Sequence, residues 1–188
     1  MQQMSHRDLA KAIAQISYIH GSFRLRAGQV SSHYLDKYQF ESDPVLLQQV
    51  ARALVPLLPP EIGMLAGVEL GGIPLATALS LEIGLPVVFV RKEPKSYGTQ
   101  KQVEGGAVAG KRLCLIEDVI TTGGQVISSA EVLRQQGATV EDVLCVIWRG
   151  HPQEPRLEQA RLHPHALFQE QELAVFGETM EHHCENAG

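Results

Sequence analysis

Residues 113–125 read LCLIEDVITTGGQ. The first four are apolar without alternation, Glu117 and Asp118 follow at once, and Thr121, Thr122, Gly123 and Gly124 then supply small residues for a tight bend. A strand that is apolar on both faces belongs inside a parallel sheet covered by helices, because a half-solvated strand would alternate with polar residues. Residues 123–137, GGQVISSAEVLRQQG, supply the helix that follows the bend. One run therefore predicts strand, turn and helix. It also predicts where a ligand sits, since sheets of this kind bind at the carboxyl ends of their strands.

The rest of the chain repeats the pattern. Ser5 with Asp8 three residues on resembles a capping box, and Leu9, Ile13 and Ile16 share one helical face behind it. Residues 20–42 are mixed, with two short extended pieces around Gly28 that suit a flap. Asp43 caps a helix with Pro44 at its first position and Leu46, Leu47, Val50, Leu54 and Leu58 as its stripe. Strands are predicted at 64–68, 86–91, 112–116 and 140–149, with helices at 74–83 and after Gly123. The expected fold is α/β, a mostly parallel sheet flanked by helices with a small hood from the terminal segments. Its expected divisions are an N-terminal helix and hood (1–42), a core (43–176) and a flexible tail (177–188).

The chemistry follows from the bend. Unpaired N–H groups at a helix start, the positive end of its dipole and the Thr hydroxyls favour a phosphate. Two carboxylates beside a phosphate repel it unless they hold ribose hydroxyls or a divalent cation, so a sugar phosphate fits better than a bare anion. A second Gly turn, VELGGIPLA at 68–76, brings the amides of Gly71 and Gly72 to the same edge, where a second phosphate group would suit them; glycine is the default wherever positive φ is needed. Polar residues gather at the other strand ends too: Glu69, then Arg91 with Lys92, then Arg149. Residues 91–106, RKEPKSYGTQKQVEGG, form a basic loop carrying Arg91, Lys92, Lys95 and Lys101, suited to closing over a polyphosphate.

Other functions lack support. A net charge of −5 and a pI near 5.9 argue against a nucleic-acid surface. Cys114 and Cys145 lie in apolar runs and Cys184 in a polar tail, so no disulfide framework is expected and a reducing cytoplasm fits. Residues 1–15 lack an apolar core of signal-peptide length and no membrane-length apolar run occurs, so a soluble protein is expected. GGAVAGK at 105–111 has P-loop spacing, but Arg112 replaces the needed Ser or Thr and a strand follows where a helix should. His163, His165, His182 and His183 fit no common zinc spacing, and Ser128 and Ser129 lack a partnered base.

The 113–125 run resembles the signature of type I phosphoribosyltransferases, and residues 18–175 resemble the orotate phosphoribosyltransferase family through four motifs in order. These are GSFRLRAGQVSSHYLDKY at 21–38, RKEPKSYGTQKQVEG at 91–105, the signature itself, and VIWRG ending in Arg149 and Gly150. The resemblance implies transfer of a phosphoribosyl group from phosphoribosyl pyrophosphate (PRPP) to orotate, with Mg²⁺ held mainly through PRPP. It implies a catalytic loop reaching into a neighbouring subunit, hence a homodimer with shared sites. It places PRPP against Gly71, Gly72, Arg91, Lys92, Lys95, Tyr97, Glu117, Asp118, Val119, Ile120, Thr121, Thr122, Gly123, Gly124 and Gln125. Lys95, Glu117 and Asp118 are implied as catalytic, and Arg26, Tyr34, Thr121 and Arg149 as orotate contacts. Arg26 stands where many members carry Lys, Tyr97 where many carry His, Gly71 where some carry Lys, and Trp148 where members often carry Asp. A phosphoribosyltransferase for another base, or a PRPP sensor without turnover, are the alternative readings.

Overall fold

The structure is a computed structural model and describes residues 3–24, 28, 30–95, 101–150 and 154–178. It opens with helix α1 (His6–Ser17), a hairpin of β1 (Tyr18–Arg24) and β2 (Val30–Leu35), the short α2 (Tyr38–Ser42) and α3 (Pro44–Leu54). Then come β3 (Met64–Val68), α4 (Gly72–Ile83), β4 (Val87–Val90), β5 (Val103–Glu104), β6 (Arg112–Ile120), α5 (Gly124–Gln135), β7 (Thr139–Trp148), α6 (Pro155–Gln159), β8 (His163–Gln169) and α7 (Glu170–Glu178).

Six strands form one sheet in the order β5-β4-β3-β6-β7-β8, and every pair is parallel except β4 with the short edge strand β5. β6 lies inside the sheet and alternates its side chains between two cores. Cys114 and Ile116 join Leu9, Ile13, Leu65, Leu75 and Leu79 on one face, while Leu113 and Leu115 join Val126, Ala130 and Leu133 on the other. Both faces are thus apolar, as the unbroken run LCLI required. Each fully buried Leu contributes about 1.5–3 kcal/mol through its removal from water.

Helix ends follow local chemistry. Ser5 Oγ accepts the Asp8 amide at 3.2 Å and donates to Asp8 Oδ2 at 2.6 Å, so Asp8 takes the hydroxyl and not the Ser5 amide of a reciprocal capping box. Asp43 Oδ1 accepts the amides of Val45 and Leu46 at 2.9 Å each.

Four expectations need correction. β6 runs on to Ile120 and does not stop at 116, because Glu117, Val119 and Ile120 continue to pair with Cys145, Ile147 and Trp148 of β7; the two acids lie within the strand, not beyond it. The basic stretch after β4 is not all loop, since Val103 and Glu104 form β5 and pair with Val90 and Phe89. Residues 163–169 form a strand that the His- and Pro-containing HPHALFQ concealed; neighbouring β7 supplies the pairing its own composition does not advertise. Gly71 and Gly72 carry no positive φ, so their small size answers a different need, described below. α1 shares the core of α3 and α4, and α7 reaches Glu178. Tail residues 179–188, including His182, His183 and Cys184, lie outside the described residues. None of the described helices is long and apolar enough to cross a membrane.

Candidate active site

The carboxyl ends of β3, β4, β6, β7 and β8 converge on one edge, as parallel pairing of these strands requires. Asp118 is wholly buried there and Glu117 is 7% exposed. Asp118 Oδ1 accepts the Val119 amide at 2.5 Å and Oδ2 meets Lys37 Nζ at 2.5 Å. Glu117 Oε1 accepts the Asp118 amide at 3.1 Å. A third carboxyl, Glu41 from α2, is 7% exposed and is turned into the same corner, its Oε1 buried without a hydrogen-bond partner.

Three carboxyls in one dry corner cannot all ionise. Burial first, then the charge of Asp118, push the Glu41 carboxyl up to about 9. The same causes, in the same order, hold Glu117 well above the usual carboxylate range. Burial alone would lower the Lys37 ammonium, but Asp118 outweighs it and leaves Lys37 above its ordinary value. The corner is thus a Lys37–Asp118 pair flanked by two acids held toward their protonated forms, a set of donors and acceptors matched to hydroxyl groups.

The turn after β3 packs tightly on this corner. A Cβ on Gly71 would overlap the Asp118 carboxyl and crowd Glu41 Oε1 at 2.8 Å, and one on Gly72 would overlap the Ile116 carbonyl. Close approach to β6, not backbone freedom, is why both positions are glycine. The bend after β6 has a different need. Gly123 sits at φ 71°, where a side chain is strained, and its Cβ would strike Leu157 at 2.7 Å. It precedes α5 without any side-chain cap, and Gly124 faces open space, so the first amides of α5 remain available to an anion.

Lys37, Glu69, Leu70, Lys92 and the segment Glu117 to Val126 enclose a cleft of about 380 Å³. It brings together the predicted Lys92, Glu117, Asp118, Val119, Ile120, Thr121, Thr122, Gly123, Gly124 and Gln125. Arg91, Lys92 and Lys95 line an adjoining hollow that shares Glu69 and Leu70. The stems of the basic loop are tied together. The Arg91 amide donates to the Gln102 carbonyl at 2.9 Å, Gln102 Nε2 donates to the Arg91 carbonyl at 3.1 Å, and Lys95 Nζ meets Glu104 Oε1 at 2.5 Å. The bonded Lys95 ammonium holds the Glu104 carboxyl below the usual carboxylate range. Tyr97 lies outside the described residues.

A second pocket, of about 330 Å³, is lined by Ser31, His33, Tyr34, Leu35, Thr121, Arg149 and Glu170. Tyr34, Thr121 and Arg149 meet here as expected, while Arg26 lies outside the described residues. Thr121 belongs to both cavities, so the two are neighbours. Phe23 of β1 packs on Tyr34 of β2 with ring centroids 5.6 Å apart, a contact within the hairpin that braces the pocket-lining Tyr34.

Lys37, Glu41 and Glu170 were not anticipated from the sequence, whereas Glu69 was expected at this sheet edge and lines the cleft. Lys37 had a signal, a cation in the hood segment SSHYLDKY. Glu41 had none, and Glu170 was hidden with the strand it follows. No group of three His, Cys, Asp or Glu among the described residues is placed to hold a metal ion. His165 of the edge strand instead meets Asp142 Oδ1 at 2.9 Å.

Comparison with known proteins agrees with this geometry. Residues 44–171 match the phosphoribosyl transferase domain family. Orotate phosphoribosyltransferase from a Nocardioides species is 47% identical over 165 residues, covering 88% of this chain and 92% of the relative. That of Methanocella arvoryzae is 38% identical over 153 residues, 81% of this chain and 87% of the relative. The crystal structure of orotate phosphoribosyltransferase from Aeropyrum pernix superposes with a TM-score of 0.78 at 30% identity, over 90% of this chain and 98% of that one.

Proposed function

The chain belongs to the phosphoribosyl transferase domain family and, within it, to the orotate phosphoribosyltransferases, and from that premise we propose how its cleft transfers the 5-phosphoribosyl group of PRPP to orotate. The bond from C1 of the ribose to the pyrophosphate oxygen breaks and a bond from C1 to N1 of orotate forms. Pyrophosphate leaves, the N1 proton is lost, and orotidine 5′-monophosphate remains. The observation that carries this reading is the contiguity of an acid-lined corner, an uncapped helix start and an Arg-bearing pocket at one sheet edge.

The amides of Thr121 to Gln125 take the 5-phosphate, and Glu117 and Asp118 take the ribose hydroxyls. Positive charge grows on the ribose as the leaving group departs, and Asp118 sits where it offsets that charge. Gly71, Gly72, Arg91, Lys92, Lys95 and Tyr97 face the pyrophosphate. Lys95 leaves Glu104 to meet the departing oxygens, so its contribution is electrostatic. Tyr34, Thr121, Arg149 and Arg26 orient the base, Arg being suited to a planar carboxylate. Rate enhancement then comes from positioning and charge complementarity. Mg²⁺ is proposed to arrive on PRPP, where it would offset pyrophosphate charge. We further propose a cytoplasmic homodimer in which the basic loop serves the neighbouring site.

Initial-rate assays with PRPP, Mg²⁺ and a panel of orotate, uracil, adenine and hypoxanthine test the reading. Orotate should be consumed with one pyrophosphate released per base. Turnover of a different base instead, or PRPP binding without any turnover, would overturn it.

A further inference from the structure

Arg149 and Glu170 are brought together by pairing alone. Trp148 of β7 and Gln169 of β8 are register partners, so the next residue of each strand stands side by side at the pocket wall. Arg149 Nε donates to Glu170 Oε1 at 2.6 Å and Nη2 approaches the same oxygen at 2.5 Å. Two N–H groups of one guanidinium edge converge on one carboxylate oxygen. Both side chains remain about one third exposed, 34% and 31%, and both line the 330 Å³ pocket with Tyr34 and Thr121.

The start of α7 is itself fixed. The Gln169 amide donates to Glu172 Oε2 at 2.6 Å, and α7 packs against α1. Glu170 is therefore held on a stable strand-to-helix junction and not on a loose loop. For an anionic base this residue is at first sight a liability, because a carboxylate shares the pocket with the cation meant to attract the substrate. Its geometry gives it another use. An Arg side chain has many rotamers, and a hydrogen-bonded carboxylate on one guanidinium edge removes most of them before substrate arrives.

Resting on the function proposed above, we propose that Glu170 is a positioning and specificity-determining residue of the base pocket: it holds Arg149 by its Nε–Nη2 edge, so that only the opposite, Nη1 edge is offered to the base. Glu170 acts through Arg149 and touches neither PRPP nor the ribose. Its negative charge also lowers the pocket's general attraction for anions, so a carboxylate-bearing base gains only by engaging that one edge. Small anions and misoriented bases gain little.

Full-length wild-type, Glu170→Gln, Glu170→Ala, Arg149→Lys and the Arg149→Lys/Glu170→Ala double variant are compared, varying orotate at saturating PRPP and PRPP at saturating orotate. KM for orotate should rise on the order of tenfold or more in Glu170→Ala, the scale of a lost hydrogen bond to a charged group, with partial rescue in Glu170→Gln, whose amide oxygen still accepts. KM for PRPP should stay at the wild-type value. In the Arg149→Lys background the Glu170→Ala change should add little, since the residue acts through Arg149. An unchanged orotate KM in Glu170→Ala, a parallel rise in both KM values, or a full additional effect in the Arg149→Lys background would each overturn the inference. Wild-type protein that fails to consume orotate would instead defeat the function on which it rests, and that control separates the two failures.

Discussion

At the scale of single residues, the corner formed by Glu41, Glu117, Asp118 and Lys37 makes the sharpest demands. The Glu41 carboxyl rises from its ordinary value of 4.5 to about 9 in the folded chain. Between those values the folded chain binds a proton that the unfolded chain has released, so stability falls as pH rises through that window and the contribution is gone above it. The raised Glu117 acts with the same sign. Denaturant midpoints at about pH 6 and about pH 8.5 should therefore differ less in Glu41→Gln than in the wild type, and equal pH dependence in both would contradict the assigned protonation. Gly72→Ala tests the close approach of the turn to β6. Its Cβ meets a main-chain carbonyl that cannot swing away, so it should cost about 1–3 kcal/mol and lower Tm by several degrees. An unchanged Tm would show that the turn can shift.

At the scale of elements, the proposed function puts the chemistry on the basic loop and the strand ends. Lys95→Ala should lower kcat on the order of 10²–10³-fold while PRPP affinity changes little, because its charge is needed as pyrophosphate departs. Equal loss in PRPP binding and in kcat would make Lys95 a ground-state contact. Much of this was legible beforehand: LCLI announced a buried strand, EDVITTGGQ the acids and bend, and the arginine of VIWRG a cation at the same sheet edge, where it lines the second pocket. What stayed hidden was whatever depends on partners distant in sequence. HPHALFQ becomes a strand because β7 lies beside it. Glu41 looks like any helix-surface acid until Asp118 is placed against it, and the reason for Gly71 and Gly72 appears only once β6 is packed under them.

At the scale of the whole molecule, two cores share one sheet, and the two pockets meet at its edge. Leu115 sits wholly buried in the core on the α5 side, so Leu115→Ala should cost about 2–5 kcal/mol. If the basic loop serves a neighbouring subunit, mixing inactive Lys95→Ala with inactive Arg149→Ala protein should restore roughly a quarter of wild-type sites, since half the dimers are mixed and each has one intact site. No recovery on mixing would assign loop and pocket to the same chain. The corner at the end of β6 remains the centre of the account, and a crystal structure with PRPP and Mg²⁺ bound tests it most directly. The 5-phosphate should lie on the amides of Thr121 to Gln125 and the ribose hydroxyls against Glu117 and Asp118, with Lys37 or Glu41 drawn back to admit them. Density for PRPP elsewhere, with the Lys37–Asp118 pair intact and the bend before α5 empty, would contradict it.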